Sequence, residues 1–338
     1  MKTKLLLTLC LLLASVPCPL HAGGSVSPPP TVSTFSIVAI DPANGDLGVA
    51  VASRYFSVGS VVPWAMAGVG AVATQANVNV GYGQQAIDLL RQGMTAQQVL
   101  ARLLADDTFP GKEGRQVAIV DAKGNVAGHT GPGATPWAGD RHGATWSAQG
   151  NILAGPQVVD AMGRAFESTR GELAERLFAA LKAGDEAGGD SRGHQSASIL
   201  VVRKQGGRNL NNDRYVYVNV DDHPQPLVEL RRLLDLNLAY LYAGAADQLE
   251  DKGDRRGALE AARTAARYAP GNSYVRMTLG FLEYLGGDKE AALRELRAAQ
   301  AAEPDFRKQL ESILARSPDL GALREDKEFL GKLFPPPE

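Results

Sequence analysis

Apolar and polar residues alternate with strand-like spacing from Thr34 onward. The run TFSIVAIDPANGDLGVAVASR (34–54) is two apolar stretches about an Asp-Pro/Asn-Gly turn at 41–46, the chemistry of a hairpin. Two more short strands are predicted at 61–67 and 70–76. The spacing then lengthens to that of helices at 82–92 and 95–105, where Thr95 and Gln98 form a capping box and Val99, Leu100, Leu103 and Leu104 share one face. Strands return at 116–121, 125–129 and 145–149. Helices follow at 156–167 and 171–183, the second marked by Leu173, Leu177 and Leu181. SASILVVRK and RYVYVNV supply two last strands, ending near residue 222. Strands, two helices, strands, two helices, strands: this order implies two sheets face to face with helices outside.

Beyond residue 226 the chain turns rich in Ala, Leu, Glu and Arg with helical periodicity. GDRRGALEAARTAARYAPGN begins at Gly253 and GDKEAALRELRAAQAAEPDF at Gly287, 34 residues later, with Ala258 matching Ala292, Leu259 matching Leu293 and Pro270 matching Pro304. That period, with small residues at close-packing positions and Pro after the second helix, is the signature of tetratricopeptide repeats. Helices at 227–242 and 306–316 would cap the array, since one unit cannot bury its apolar face alone. The expected organisation is an α+β domain over 34–224, able to fold alone, and an all-α repeat domain over 226–334.

The N-terminus changes the picture of where such a protein works. Lys2 and Lys4, the apolar run 5–16 and Leu20-His21-Ala22 before Gly23 read as a signal peptide over 1–22, so a periplasmic or secreted product is expected. Both cysteines, Cys10 and Cys18, fall within it; the exported chain would have no disulfide and no thiol chemistry. Residues 23–33, GGSVSPPPTVS, read as a tether. No later segment approaches the ~20 apolar residues of a membrane span. With 338 residues, 44% hydrophobic, 21% charged and a net charge of −2, the chain is globular, long enough for two domains, and without a basic stripe for nucleic acid. The five histidines show neither HxH nor HExxH spacing, so no metal is expected; no cofactor is implied either, because no helix follows Gly68-Val69-Gly70 to make a dinucleotide loop. No G-x-S-x-G elbow occurs.

Candidate chemistry gathers at strand ends. A threonine hydroxyl is a poor nucleophile unless a base takes its proton, and an N-terminal threonine carries such a base in its own α-amine, of pKa roughly 7.7–8.0. Thr34 opens the first strand and has the right type and place, although a β-branched residue is equally at home there. Free-amine chemistry requires a cut between Ser33 and Thr34. Ser53 and Arg54 close the second strand; Ser53 can hydrogen-bond near Thr34, and Ala52 stands where proteasome-type subunits carry an acid. Thr74-Gln75-Ala76-Asn77 and Gln149-Gly150-Asn151 place amides where they can orient a substrate or close a turn. In GGDSRGHQSASILVV (188–202), Asp190, Arg192, Gln195 and Ser196 enter a buried strand through a Gly-rich loop. Arg192 there can clamp a carboxylate or pair internally with Asp190.

TFSIVAIDP, LGVAVASRYFSVGSVVPWA, GVGAVATQA, HTG with WAG (129–139), QGN (149–151) and GGDSRGHQSA occur in order. In these segments the chain closely resembles a bacterial family, domain of unknown function 1028, grouped with the N-terminal-nucleophile (Ntn) hydrolase folds. The resemblance implies an Ntn-hydrolase-like αββα four-layer sandwich. Members begin at the Thr-Phe-Ser-Ile strand directly after the initiator Met, which implies that Thr34 sits at the catalytic position. Relatives carry a Cys shortly after HTG where this chain has Ala134, so no thiol role can operate there. Two functions follow as expectations. One is hydrolysis of an amide bond in a small or peptide-like substrate, with Thr34, Ser53 and Asn77 catalytic and Arg54, Gln149, Asn151, Asp190, Arg192, Gln195 and Ser196 binding. The other is a non-catalytic ligand-binding or scaffold protein whose repeats recruit a protein partner.

Overall fold

The computed structural model describes residues 34–208 and 211–335. The signal peptide and tether expected over 1–33 lie outside the described residues. Among the described residues, ten strands form two antiparallel sheets. The larger has the order β10-β9-β2-β1-β8-β7, from β1 (Thr34–Asp41), β2 (Asp46–Ser53), β7 (Gly139–His142), β8 (Trp146–Asn151), β9 (Ser196–Val202) and β10 (Arg214–Val220). The smaller is β3 (Pro63–Met66), β4 (Gly70–Ala76), β5 (Arg115–Asp121) and β6 (Val126–Thr130), in sequence order.

Strand alternation makes the central strands feed two cores at once. Phe35, Ile37 and Ala39 of β1 pack with helices α3 (Gln157–Ser168) and α4 (Leu173–Glu186) through Met162, Phe166, Leu177 and Leu181. Val38 and Ile40 of the same strand face the other way, with Val49 and Val51 of β2, and meet Ala71, Ala73, Ala118 and Val120 of the smaller sheet. That sheet's outer face, through Val72, Val117 and Ile119, packs on α1 (Gly81–Arg91) and α2 (Ala96–Asp106). Thr95 caps α2 in the expected box, accepting from Gln98 N while Gln98 Oε1 accepts from Thr95 N at 2.9 Å.

Two elements differ from expectation. β7 was not predicted, because GDRH has no apolar alternation; the strand exists as the edge partner of β8, pairing Gly139 with Gly150 and His142 with Ser147. The helix expected over 227–242 is α5 (Pro226–Asp251), 26 residues long, because its apolar face changes partner midway rather than ending. Leu227, Leu230, Leu234 and Leu238 join the core under the larger sheet, whereas Ala239, Ala243 and Ala246 pack on α6 (Arg255–Tyr268) and α7 (Ser273–Leu285). Helix α5 thus belongs to both parts of the chain.

Helices α8 (Lys289–Ala302), α9 (Phe306–Arg316), α10 (Gly321–Glu325) and α11 (Lys327–Leu333) complete the helical region. The matched Gly-Asp pairs do the same work 34 residues apart. Gly253 and Gly287 take φ of +79° and +89°, the left-handed region glycine enters cheaply, and Asp254 and Asp288 cap α6 and α8 by accepting from Gly257 N and Ala291 N. Among the described residues, no helix is long and apolar enough to cross a membrane, and no group of three or more His, Cys, Asp or Glu is placed to hold a metal ion.

Candidate functional site

The space between the sheets changes character along its length. Inward positions near the Asp46 end of β2 are apolar. At the Thr34 end the same positions carry hydroxyls and amides. Thr34 pairs with Ser53 on one side and Asn151 on the other, and Ser36 with Gln149, so these side chains share the inner face. Thr34, Ser36, Ser53, Gln75, Gln116, Gln149 and Asn151 are all buried.

Buried amides and hydroxyls are tolerated only when hydrogen-bonded. Thr34 Oγ1 donates to Ser53 Oγ at 3.2 Å. Gln75 Nε2 donates to the Thr34 carbonyl at 3.2 Å and to Gln116 Oε1 at 2.9 Å, while its Oε1 accepts from Ser36 Oγ at 2.6 Å. Gln116 is the hub: its Oε1 also accepts from Asn151 Nδ2 at 3.1 Å, and its Nε2 donates to Gly150 O at 2.8 Å and Thr130 Oγ1 at 3.0 Å. Gln149 Nε2 crosses to Ala73 O at 3.2 Å; its Oε1 has no hydrogen-bond partner among the described residues. A chain of contacts leads outward from the hub. Thr130 Oγ1 donates to Asp140 Oδ1 at 2.6 Å, and Asp140 Oδ2 lies 2.7 Å from Nε2 of the part-exposed His142. The bond from His142, assisted by Thr130, holds the Asp140 carboxyl below its usual range against the opposing effect of burial.

The other expected residues sit around this cluster in different roles. The Gln195 backbone N–H donates to Ser53 O at 3.1 Å, but its side chain turns to Asp222. Ser196, opposite Ser53, accepts from Val58 N and donates to Tyr55 O, stitching the loop after β2 to β9. Asp190 accepts from the backbone of Arg54 and of Arg192, both at 2.9 Å, and from the Arg192 guanidinium at 3.0 and 3.2 Å. The internal Asp190–Arg192 pair therefore forms. The Arg54 side chain is exposed at the end of β2, one residue past Ser53.

Asn77 belongs to a second polar cluster. Its carbonyl accepts from Arg115 Nη1 at 2.6 Å, and its amide reaches Gly111 O at 3.5 Å. Arg115 is buried, bonds Asp107 through Nε at 2.8 Å, and ties down the carbonyls of Phe109, Pro110 and Gly111; Tyr82 donates to Asp107 at 2.7 Å. Burial pushes the Asp107 carboxyl up, but the bonds from Arg115, Tyr82 and Phe109 N outweigh it and hold it below its usual range. This buried pair fixes the loop over 107–114.

Sequence reasoning passed over Ser36, Gln116, Thr130, Asp140 and His142. For Gln116 a signal existed: it alternates with Ala118 and Val120, so it must face the same way as those two core residues.

Two antiparallel sheets enclosing a polar end, with a helical continuation, define a mixed α+β protein. Residues 34–230 match the family of unknown function DUF1028, and the chain belongs to it. It is similar to the crystal structure of protein SPO2555 from Silicibacter pomeroyi, of the same family: 32% identity, TM-score 0.54, with 60% of this chain and 84% of that one covered. No curated protein matches the chain.

Proposed function

We propose that residues 34–224 form an Ntn-hydrolase-like αββα sandwich that hydrolyses an amide bond in a small or peptide-like substrate, with Thr34 as nucleophile. We read the helical region over 226–334 as tetratricopeptide-like repeats, on the strength of the shared Gly-Asp caps 34 residues apart. The observation that carries the catalytic reading is the placement of Thr34. It is the first residue of an inner strand, its hydroxyl bonds Ser53, and it stands at the amide-rich end of the inter-sheet space.

A chain that begins at Thr34 would supply the base from its own α-amine, which takes the hydroxyl proton as the oxygen attacks the substrate carbonyl. The amine then returns that proton to the leaving nitrogen, and water hydrolyses the ester. Donors for the developing oxyanion would come from the amides around Thr34 and from backbone N–H groups. The signal-like start favours a periplasmic or secreted setting for this chemistry.

One observation favours the non-catalytic alternative, a ligand-binding or scaffold protein. Ala52, where the related acid would be, is packed into the apolar core under the helices, so no carboxylate assists from that position. The test is a screen of amide substrates against chain produced with Thr34 as its first residue. Thr34→Ala should abolish turnover and Thr34→Ser retain part of it, both with unchanged circular dichroism. No turnover in the parent would leave the non-catalytic reading standing, and turnover equal in Thr34→Ala and the parent would take the nucleophile's role from Thr34.

A further inference from the structure

The helical region carries a groove of about 440 Å³ between α6 and α7. It is lined by Arg263, Ala266, Arg267, Pro270, Arg276 and Leu279, three cations and no carboxylate. We propose that this groove binds an acidic segment of a partner protein, in which two side-chain carboxylates pair with Arg263 and Arg267.

How the arginines are paired carries the assignment. Near the start of α6, Arg255 donates to Glu250 at 2.6 Å and to Leu285 O at 3.0 Å, and Arg256 donates to Glu260 at 3.3 Å. In the next repeat Arg297, 34 residues after Arg263, donates to Lys332 O at 2.7 Å. The two arginines of the groove on α6 differ. Arg267 donates to the Thr264 hydroxyl at 2.8 Å, and Arg263 Nη2 lies 3.7 Å from Glu283 Oε1, outside hydrogen-bond reach. Their guanidinium groups hold no carboxylate, and each can fork one.

Spacing supplies the second argument. Arg263 and Arg267 stand four apart on an exposed helix face, where like charges repel and an anion between them removes the cost. Such side chains start roughly 5–6 Å apart at Cβ, and two residues of an extended peptide advance about 6.6 Å. Alternate glutamates of an extended segment therefore reach both arginines.

The rest of the groove is built to receive them. Arg276 is half-buried and pinned by Glu295 and by Pro270 O, so that wall is ordered before a ligand arrives. Ala266 and Leu279, both buried, form an apolar floor for the methylenes of a glutamate.

The assignment is independent of the chemistry at Thr34. Calorimetric titration of the full chain with an end-blocked peptide of alternating Ala and Glu tests it, beside the same peptide with Gln or with phosphoserine for Glu. The Glu peptide should bind at one per chain and the Gln peptide should not. Arg267→Ala and Arg263→Ala should each weaken binding about tenfold, the effect of losing one charge-assisted pair. Arg267→Lys, which keeps the charge without the fork, should recover part of the loss. Arg256→Ala, on the same helix but outside the groove, should leave binding unchanged. Failure of the Glu peptide to bind, equal binding of the Gln peptide, binding unmoved by Arg267→Ala or lowered as much by Arg256→Ala, or binding of the phosphoserine peptide alone would overturn the proposal.

Discussion

The two ends of the inter-sheet space are built from the same strands in one register, yet their inward residues are opposites. At the Asp46 end, Ile40, Leu47, Val49 and Val202 meet Ala71 and Val120 in an apolar core. At the Thr34 end, Thr34, Ser36, Ser53 and Gln149 meet Gln75 and Gln116. Burying apolar surface stabilises by about 25 cal/mol per Å², whereas a buried amide is close to neutral when fully bonded and costly when not. A fold needing only stability would have extended the valines. The polar end, where Gln149 Oε1 has no hydrogen-bond partner among the described residues, contributes less to stability than the apolar end does.

The largest expected effect tests whether the sandwich holds either end without its covering helix. A fragment over 34–224 lacks Leu227, Leu230, Leu234 and Leu238, each contributing roughly 1.5–3 kcal/mol when fully buried. That sum rivals the ~5–15 kcal/mol stability of a whole domain. Against the expectation from sequence that 34–224 folds alone, that fragment should aggregate or lose near-UV circular dichroism, while a fragment over 34–251 should unfold cooperatively. A well-folded 34–224 would show that α5 is dispensable to the sheet.

The next two changes separate the ends. Leu47→Ala, in the apolar half, should cost about 2–5 kcal/mol by denaturant unfolding and leave turnover per folded molecule intact. Gln116→Leu removes the hub and strands its partners on Gln75 and Asn151, so it should cost about 1–3 kcal/mol. Unlike Leu47→Ala, it should also depress turnover. Equal functional loss in both variants would erase the distinction.

Smaller still is Ser53→Ala, which deletes one bond to the Thr34 hydroxyl. It should cost about 1 kcal/mol of stability and slow turnover about tenfold. The smallest effect is on acid stability. Because the folded Asp140 carboxyl titrates below its ordinary 3.8, its stabilisation is complete above that value and is lost as pH falls below it toward the depressed value. Asp140→Asn should therefore lower stability at neutral pH and flatten the acid limb of the stability profile. An acid limb identical to the parent's would remove Asp140 from the account.

Much of this was legible in the chain, for identifiable reasons. Alternation and the Asp-Pro/Asn-Gly turn give β1 and β2, and the Thr95–Gln98 box gives the start of α2, because those signals are local. β7 was illegible because an edge strand with polar residues on both faces leaves no period to read. At the site, Thr34, Ser53, Gln149 and Asn151 lie at strand ends visible in the sequence. The bond from Asn151 to Gln116 depends on how the two sheets stack, a contact between residues 35 apart in the chain. Arg192 shows the same limit. Its spacing to Asp190 allowed a ligand clamp or an internal pair, and only the three-dimensional loop, with Arg54 N also donating to Asp190, selects the pair.

The central claim, that the polar end exists for chemistry at Thr34, requires that residue to become a chain terminus. Intact-mass and N-terminal fragment measurements on protein purified from its own host test this most directly. The account predicts a species beginning at Thr34, carrying the amide-hydrolysing activity and lacking it in Thr34→Ala. A single species that begins upstream of Thr34, with the same behaviour in parent and Thr34→Ala, would contradict it.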